Sequence, residues 1–368
     1  MSKTVAKNST QDAAVDTALA TSSTDNAAYQ PAPQLAPWLA AQRDALLAQR
    51  GHAWLLHGPS GLGQYDIAMS LVQAWLCEAP GKQPTSAACG QCPSCHMIAS
   101  RAHPDLIVLM PETLMLDYNW PLSEKAQKEI DDKSRKPSRE IRVDAMREAI
   151  EFAQLTSGRG RCKAVLVYPA ERMNITTANA LLKTLEEPTG DVKFALASEA
   201  AHQLLPTIRS RCQSFALRWP SQAESIAWLR TQDGTAKLDD ATLHAVLAAA
   251  GGRPLDAMQV IAAGAINAWA RLPKGLSLGI TSVVDGWAPA TVLDALQKLC
   301  HDLWAVKLDA APRFFSAADL PKPPPARALS VWSEQLKTLA RSIDHTWKPE
   351  LLVEDLVSQA KSALNSRQ

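Results

Sequence analysis

The sequence predicts an α/β protein built on a parallel sheet of the phosphate-loop type, followed by two helical regions. Three observations carry this. A short apolar run, Ala53–His57, feeds a glycine loop (Gly58-Pro59-Ser60-Gly61-Leu62-Gly63), and a helical pattern over Ile67–Leu76 follows it directly. Apolar strand-like runs then alternate with helical patterns up to about residue 217, the rhythm of a parallel sheet covered on both faces. From Ser221 onward the strand signals fade and only helical patterns remain. At 368 residues, 46% hydrophobic and 20% charged, the chain is long enough for two or three domains with substantial cores.

The elements follow in order. Residues 1–30 are rich in Ala, Ser, Thr, Asp and Asn, lack an apolar core and read as a disordered tail, not a signal peptide. Leu35–Gln49 is an amphipathic helix with Leu35, Trp38, Leu39, Leu46 and Leu47 as its apolar positions. After the first strand, loop and helix comes a Cys-rich loop, then a strand at Asp105–Leu109. Residues 111–140 are polar and mixed in charge, an insertion expected to be mobile in part. A helix at Val143–Leu155, a turn at Arg159-Gly160-Arg161 and a strand at Lys163–Val167 follow. A helix at Thr176–Leu185, stopped by Pro188, leads to strands at Phe194–Ala197 and Phe215–Leu217. Short helices are expected at Ala223–Thr231, Asp239–Ala250 and Pro254–Ala263, with Gly251-Gly252 ending one and Pro254 opening the next. Longer helical stretches at Ala290–Val306 and Ala326–Ala363 flank the Pro-rich run 321–325. Apolar positions such as Leu293, Leu296, Leu299, Leu303 and Trp304 suit a core or an oligomerising face. The domain reading is a tail (1–30), an α/β domain (31–219), a small helical domain (220–268) and a helical C-terminal domain (269–368).

A formal net charge of +1 gives no global attraction to nucleic acid or membrane. No apolar stretch is long enough to span a bilayer. The expected compartment is the cytoplasm, where the seven cysteines stay reduced.

The glycine loop has the frame of a phosphate-binding loop without its chemistry. Gln64 stands where a Lys would reach the β- and γ-phosphates, and Tyr65 where a small hydroxyl would hold Mg²⁺. Asp66 adds negative charge where phosphate would dock. Gly58, Gly61 and Gly63 remain as a degenerate cradle. The strand Val165-Leu166-Val167 runs into Tyr168-Pro169, where an acidic pair for Mg²⁺ and water would be needed. Glu171 is acidic but out of register.

Cys89, Cys92 and Cys95 lie at C-x-x-C-x-x-C spacing, and Cys77 ends the preceding helix. Four thiolates close a tetrahedral Zn²⁺ shell with no open position, the pattern of a structural site. His96 or His103 in place of Cys77 is an alternative fourth ligand, and four ordinary reduced thiols are another reading. Cys162, Cys212 and Cys300 read as small core residues. Two further strings stand out. Asn179–Pro188 (NALLKTLEEP) puts Leu181, Leu182 and Leu185 on one helix face and Lys183, Glu186 and Glu187 on a solvated one. Ser210-Arg211-Cys212 is, in isolation, a surface arginine beside a small core residue.

Taken together, GPSGLG (58–63), the cysteine cluster, NALLKTLEEP and SRC (210–212) resemble the AAA+ clamp-loader family of bacterial DNA polymerase III, in its delta-prime branch. The resemblance spans about the middle half of the chain; the tail and the 111–140 insertion lie outside it, and the C-terminal third matches in layout only. It implies an AAA+ α/β domain carrying a zinc module, a small helical lid and a helical collar that oligomerises a subunit ring. Hydrolysing members carry the loop Lys and Thr, an Asp-Glu pair and an Arg in the lid. Here those places fall on Gln64, Tyr65, Tyr168, Pro169 and Leu255, which match the non-hydrolysing branch. The intact SRC motif implies that Arg211 reaches into a neighbour's ATP site, where a planar guanidinium suits phosphate oxygens. The implied role is a stator acting with ATPase subunits and a delta-type wrench, with sliding clamp and primed DNA engaged through the complex, with no intrinsic ATP hydrolysis and no membrane. Two rivals are an active ATPase with an atypical loop, whose glycine-loop amides still cradle a phosphate, and a zinc-dependent nucleic-acid-binding regulator. The second lacks a basic and aromatic cluster beside the cysteines.

Overall fold

Alternation along five strands sets the architecture. The computed structural model describes residues 35–262, 264–342 and 348–366; the expected tail, residues 1–30, lies outside them. The strands β1 (Ala53–His57), β2 (Leu106–Leu109), β3 (Lys163–Val167), β4 (Val192–Ser198) and β5 (Gln213–Ala216) form one parallel sheet in the order β2-β3-β4-β1-β5. Successive side chains point to opposite faces. Trp54, Leu56, Ala164, Leu166, Ala195 and Ala197 therefore enter one core, and Ala53, Leu55, Val165, Val167, Phe194 and Leu196 the other.

The helices α1 (Pro37–Leu47), α2 (Gln64–Leu76) and α3 (Pro93–Ala99) supply the first core with Leu39, Leu46, Ile67, Leu71 and Ile98. On the other face α6 (Val143–Gln154), α7 (Ile175–Glu186) and α8 (Pro206–Arg211) supply Met146, Leu181, Leu185 and Ile208. The expected α/β class with a parallel sheet covered on both faces is what forms. Two helices were not legible in the sequence: α3 inside the Cys-rich loop, with Pro93 in its first turn, and α8, which opens on Pro206.

The 111–140 insertion, read in the sequence only as polar and mixed in charge, holds secondary structure of its own. It contains α4 (Glu112–Asp117) and α5 (Glu124–Asp131), and Arg135 ties the two by pairing with Glu112 at 2.5 Å and Glu129 at 2.6 Å. Polar composition there reflects a charge network on short helices. Beyond the sheet, α9 (Gln222–Leu229), α10 (Asp240–Ala249) and α11 (Pro254–Ala262) share a small core around Leu229, Leu243 and Ala257. A separate core joins α12 (Ile266–Leu278), α13 (Pro289–Lys307), α14 (Ala326–Ser342) and α15 (Pro349–Leu364). The stretch expected as helical over Ala326–Ala363 is thus two helices, the second opening on Pro349. Helix α12 was not anticipated because Pro273 lies within it. Leu293, Leu296, Leu299 and Leu303 are buried in this core, so within the chain they serve packing.

Asp105, buried just before β2, ties the sheet to the loop preceding β3. Its carboxylate accepts from Ser157 Oγ (2.9 Å), Gly158 N (2.8 Å), Arg159 N (2.9 Å) and Lys163 Nζ (3.3 Å). Burial opposes its ionisation, but these donors outweigh it and hold the carboxyl below the usual carboxylate range. The stability it contributes is therefore present above the unfolded carboxyl value, about 3.9, and lost as pH falls through the lower folded one. Asp105→Asn is expected to cost about 3 kcal/mol at pH 7 in urea unfolding. The gap between wild type and variant should narrow below about pH 4.

Candidate functional site

The glycine loop links β1 to α2 and is closed from within. Gly61 and Gly63 adopt φ of +84° and +83°, a conformation glycine alone enters without strain. Neighbouring segments also crowd them. A Cβ on Gly61 would lie 2.6 Å from Arg253 Cδ, and one on Gly63 2.6 Å from Leu39 Cδ1. Gln64, buried at the start of α2, donates from Nε2 to the carbonyls of Gly58 (2.9 Å) and Pro59 (2.6 Å). The side chain that would contact phosphate in a working loop is spent on the loop's own backbone. Charge adds to this. Arg253 and Asp256, from the start of α11, pair at 2.6 Å, and the Asp256 carboxylate lies 3.1 Å from where a Gly61 Cβ would be. Burial raises the Asp256 carboxyl, with Arg253 opposing. Leu255, the place read as the lid Arg, packs toward Gly63.

Three tyrosine rings cluster beside the glycine loop, two of them at positions read in the sequence as replacing Mg²⁺ ligands. Tyr65 follows Gln64 on α2, and Tyr168 follows β3. Their ring centroids are 5.5 Å apart, and Tyr118 from the insertion lies 4.5 Å from Tyr65. Trp120 Nε1 donates to Tyr65 Oη at 2.8 Å, and Tyr168 Oη donates to Glu199 Oε1 at 2.9 Å. Burial pushes the Tyr65 phenol up, and burial with the Glu199 carboxylate does the same for Tyr168. All three rings present protonated phenols or apolar faces rather than anionic oxygen. Glu171 Oε1 accepts from the Glu199 backbone N–H at 3.1 Å, and its Oε2 is buried without a hydrogen-bond partner among the described residues. Sequence reasoning found the missing Lys, Thr and acidic pair but not the parts that fill their places. Tyr118 and Trp120 lie in an insertion of polar composition, Trp120 being 55 positions from the Tyr65 it bonds, and no local pattern marks them.

Arg211 ends α8 at the opposite side of the sheet from β2. Cys212 beside it is buried with Ile208, Leu181 and Leu185, so the motif's cysteine roots the segment in the core. The Arg211 side chain is partly exposed, and Nε donates to Glu186 Oε1 at 2.6 Å. Its second terminal nitrogen donates to the same oxygen, and its first to the Thr207 carbonyl at 2.9 Å. Glu186, read in the sequence as one of several solvated charges, is the direct partner of Arg211.

Cys77, Cys89, Cys92 and Cys95 converge, with all four sulfurs within 4.8 Å of one another. Sulfur separations are 3.9 Å (Cys77–Cys92), 4.0 Å (Cys89–Cys95) and 3.5 Å (Cys92–Cys95). A tetrahedral Zn²⁺ with bonds of about 2.3 Å needs edges of about 3.8 Å. Disulfides, at about 2.05 Å, do not fit these separations. Backbone N–H groups of Glu78, Cys89, Cys92 and Cys95 point at sulfurs from 3.3 to 3.5 Å, as suits thiolate ligands. The backbone N–H groups of Gln91 and Cys92, donating to Cys89 Sγ at 3.4 and 3.3 Å, lower Cys89 to about 7, while burial raises Cys77 and Cys95. His103 is not the fourth ligand: its Nε2 meets Ser94 Oγ at 2.5 Å and its Nδ1 accepts from Asp105 N at 3.0 Å. His96 also stands outside the converging set. Cys162, Cys212 and Cys300 are separate and buried, as expected. Among the described residues no helix is long and apolar enough to cross a membrane.

A family model described as DNA polymerase III, delta subunit, matches residues 40–221, the segment holding the loop, the cysteines and both strings. The chain is 37% identical over 231 residues to DNA polymerase III subunit delta' of Pseudomonas aeruginosa, covering 62% of this chain and 61% of that protein. It is 33% identical over 216 residues to the Haemophilus influenzae subunit, covering 59% and 57%. With the Escherichia coli subunit it shares 31% over 220 residues, covering 58% of each. The aligned segment thus spans about three-fifths of the length of these curated relatives. Residues 40–221 thus match the DNA polymerase III delta subunit family, and the curated relatives above are delta' subunits.

Proposed function

We propose that this chain is a non-hydrolysing stator subunit of the DNA polymerase III clamp loader that lends Arg211 to a neighbouring ATPase subunit. The observation that carries the reading is the pairing of a self-filled glycine loop with a partly exposed arginine. Gln64 is bonded to Gly58 and Pro59, and Tyr65, Tyr118 and Tyr168 stand where Mg²⁺ ligands would be needed. Arg211 is anchored by its buried neighbour Cys212 and retains a charged, planar fork at the surface. On this reading residues 31–219 are the AAA+ domain, 220–268 the lid and 269–368 the collar. The partners are ATPase subunits and a delta-type wrench in the cytoplasm, with clamp and primed DNA engaged through the assembly. Gly58, Gly61 and Gly63 act as a structural turn without ATP.

The cysteine cluster fits Zn²⁺ by its sulfur separations and backbone donors. Cys77, Cys89, Cys92 and Cys95 would hold the ion in a closed shell, where it ties the end of α2 to α3 and supplies no catalysis.

In a loader reconstituted with this chain, Arg211→Ala should lower clamp- and DNA-stimulated ATP turnover by at least about tenfold, since fingers supplied in trans to GTPases are worth roughly 10³–10⁵. Assembly should be unchanged on size-exclusion chromatography, and normal turnover would remove Arg211 from the mechanism. Elemental analysis of the purified chain should find one zinc per molecule, and Cys92→Ser should lose it and lower the thermal midpoint by several degrees. Wild-type protein without zinc would end that assignment.

A further inference from the structure

We infer that Glu186 is a positioning residue that aims the Arg211 guanidinium outward; the inference rests on the proposed role of Arg211. The pair is built by two packed helices. Asn174 caps α7 by accepting from Thr177 N at 2.9 Å, and Leu181 and Leu185 bury its inner face. One residue past Leu185, at the end of the same helix, Glu186 reaches solvent. Helix α8 packs on α7 through Ile208, and Cys212 fixes its end in the same core. Arg211 and Glu186 are thus brought together by buried neighbours on both sides, although 25 residues separate them.

The contact is one-sided. Nε and the second terminal nitrogen of Arg211 both donate to Glu186 Oε1, which grips one edge of the fork. The first terminal nitrogen donates to the Thr207 carbonyl. A guanidinium has five N–H donors. Three are used here, which leaves one N–H on each terminal nitrogen for an acceptor outside the described residues. An arginine held along its Nε edge has little freedom in its last torsions, and its terminal end faces an incoming anion already oriented. Both partners are partly exposed, with side-chain exposures of 28% for Arg211 and 47% for Glu186. An ion pair of that kind contributes at most about 1 kcal/mol to stability. Its consequence is geometric, because a misdirected reacting group loses far more in rate than the pair contributes to folding. The acceptor oxygen does the aiming, so an amide with the same reach can replace the carboxylate.

The test uses the complete reconstituted loader carrying Glu186→Ala, Glu186→Gln, Arg211→Ala or the Glu186→Ala/Arg211→Ala pair, with ATP turnover measured under clamp and DNA stimulation. Glu186→Ala should lower kcat about tenfold and leave KM for ATP within about twofold. Glu186→Gln should keep at least about half of wild-type kcat, because Oε1 remains an acceptor for both N–H groups. In the Arg211→Ala background, Glu186→Ala should have no further effect. Normal or faster turnover in Glu186→Ala, with Arg211→Ala impaired, overturns this inference and leaves the finger standing. A further loss in the double variant overturns it as well. Normal turnover in Arg211→Ala overturns the finger and, with it, the aiming role.

Discussion

A buried amide at the head of α2, Gln64, holds the glycine loop closed on itself. A lysine there needs an anion. Gln64 needs only two carbonyls, and the loop supplies them from Gly58 and Pro59. Once the loop is satisfied from within, the neighbouring volume is free to be filled. Tyr65, Tyr118 and Tyr168 fill it, and Trp120 closes the group by donating to Tyr65. An ion pair from α11, Arg253 with Asp256, rests against Gly61. Each of these contacts joins the loop to a separate element of the fold: the insertion, the end of β3 and α11.

Much of the fold was legible because it follows from period alone. Apolar runs such as Ala53–Leu56 and Lys163–Val167 announce strands buried on both faces, and the intervening helical patterns announce the crossovers. What escaped was long-range. Helices α3 and α8 are seven and six residues long, too short for a period to register, and Pro273 disguises α12. The insertion's polarity gave no sign of its two helices, which Arg135 joins through Glu112 and Glu129. At the site, the sequence displayed what was missing from the loop and strand β3. It could not display what stood in their place, because Tyr118, Trp120 and Asp256 arrive from distant segments.

The cysteine cluster and the arginine show two ways in which a scaffold holds functional atoms. Three of the four cysteines are regularly spaced, and all four converge within one local segment, from the end of α2 to the first turn of α3. That is why their convergence was readable, and why Cys77 rather than His103 completes the set once His103 is engaged by Ser94 and Asp105. Arg211 depends instead on non-local packing. Its own motif supplies the root at Cys212, while its orientation comes from Glu186 in a separate string. Two strings that read as independent in the sequence therefore form one unit in space.

The central claim is that the chain's own glycine loop is sealed by its side chains. Isothermal titration of the purified chain with ATP and Mg²⁺ tests it directly. The account predicts no saturable binding up to about 1 mM nucleotide, corresponding to less than about 4 kcal/mol of affinity. A dissociation constant in the micromolar range, lost on substituting Gln64, would contradict it.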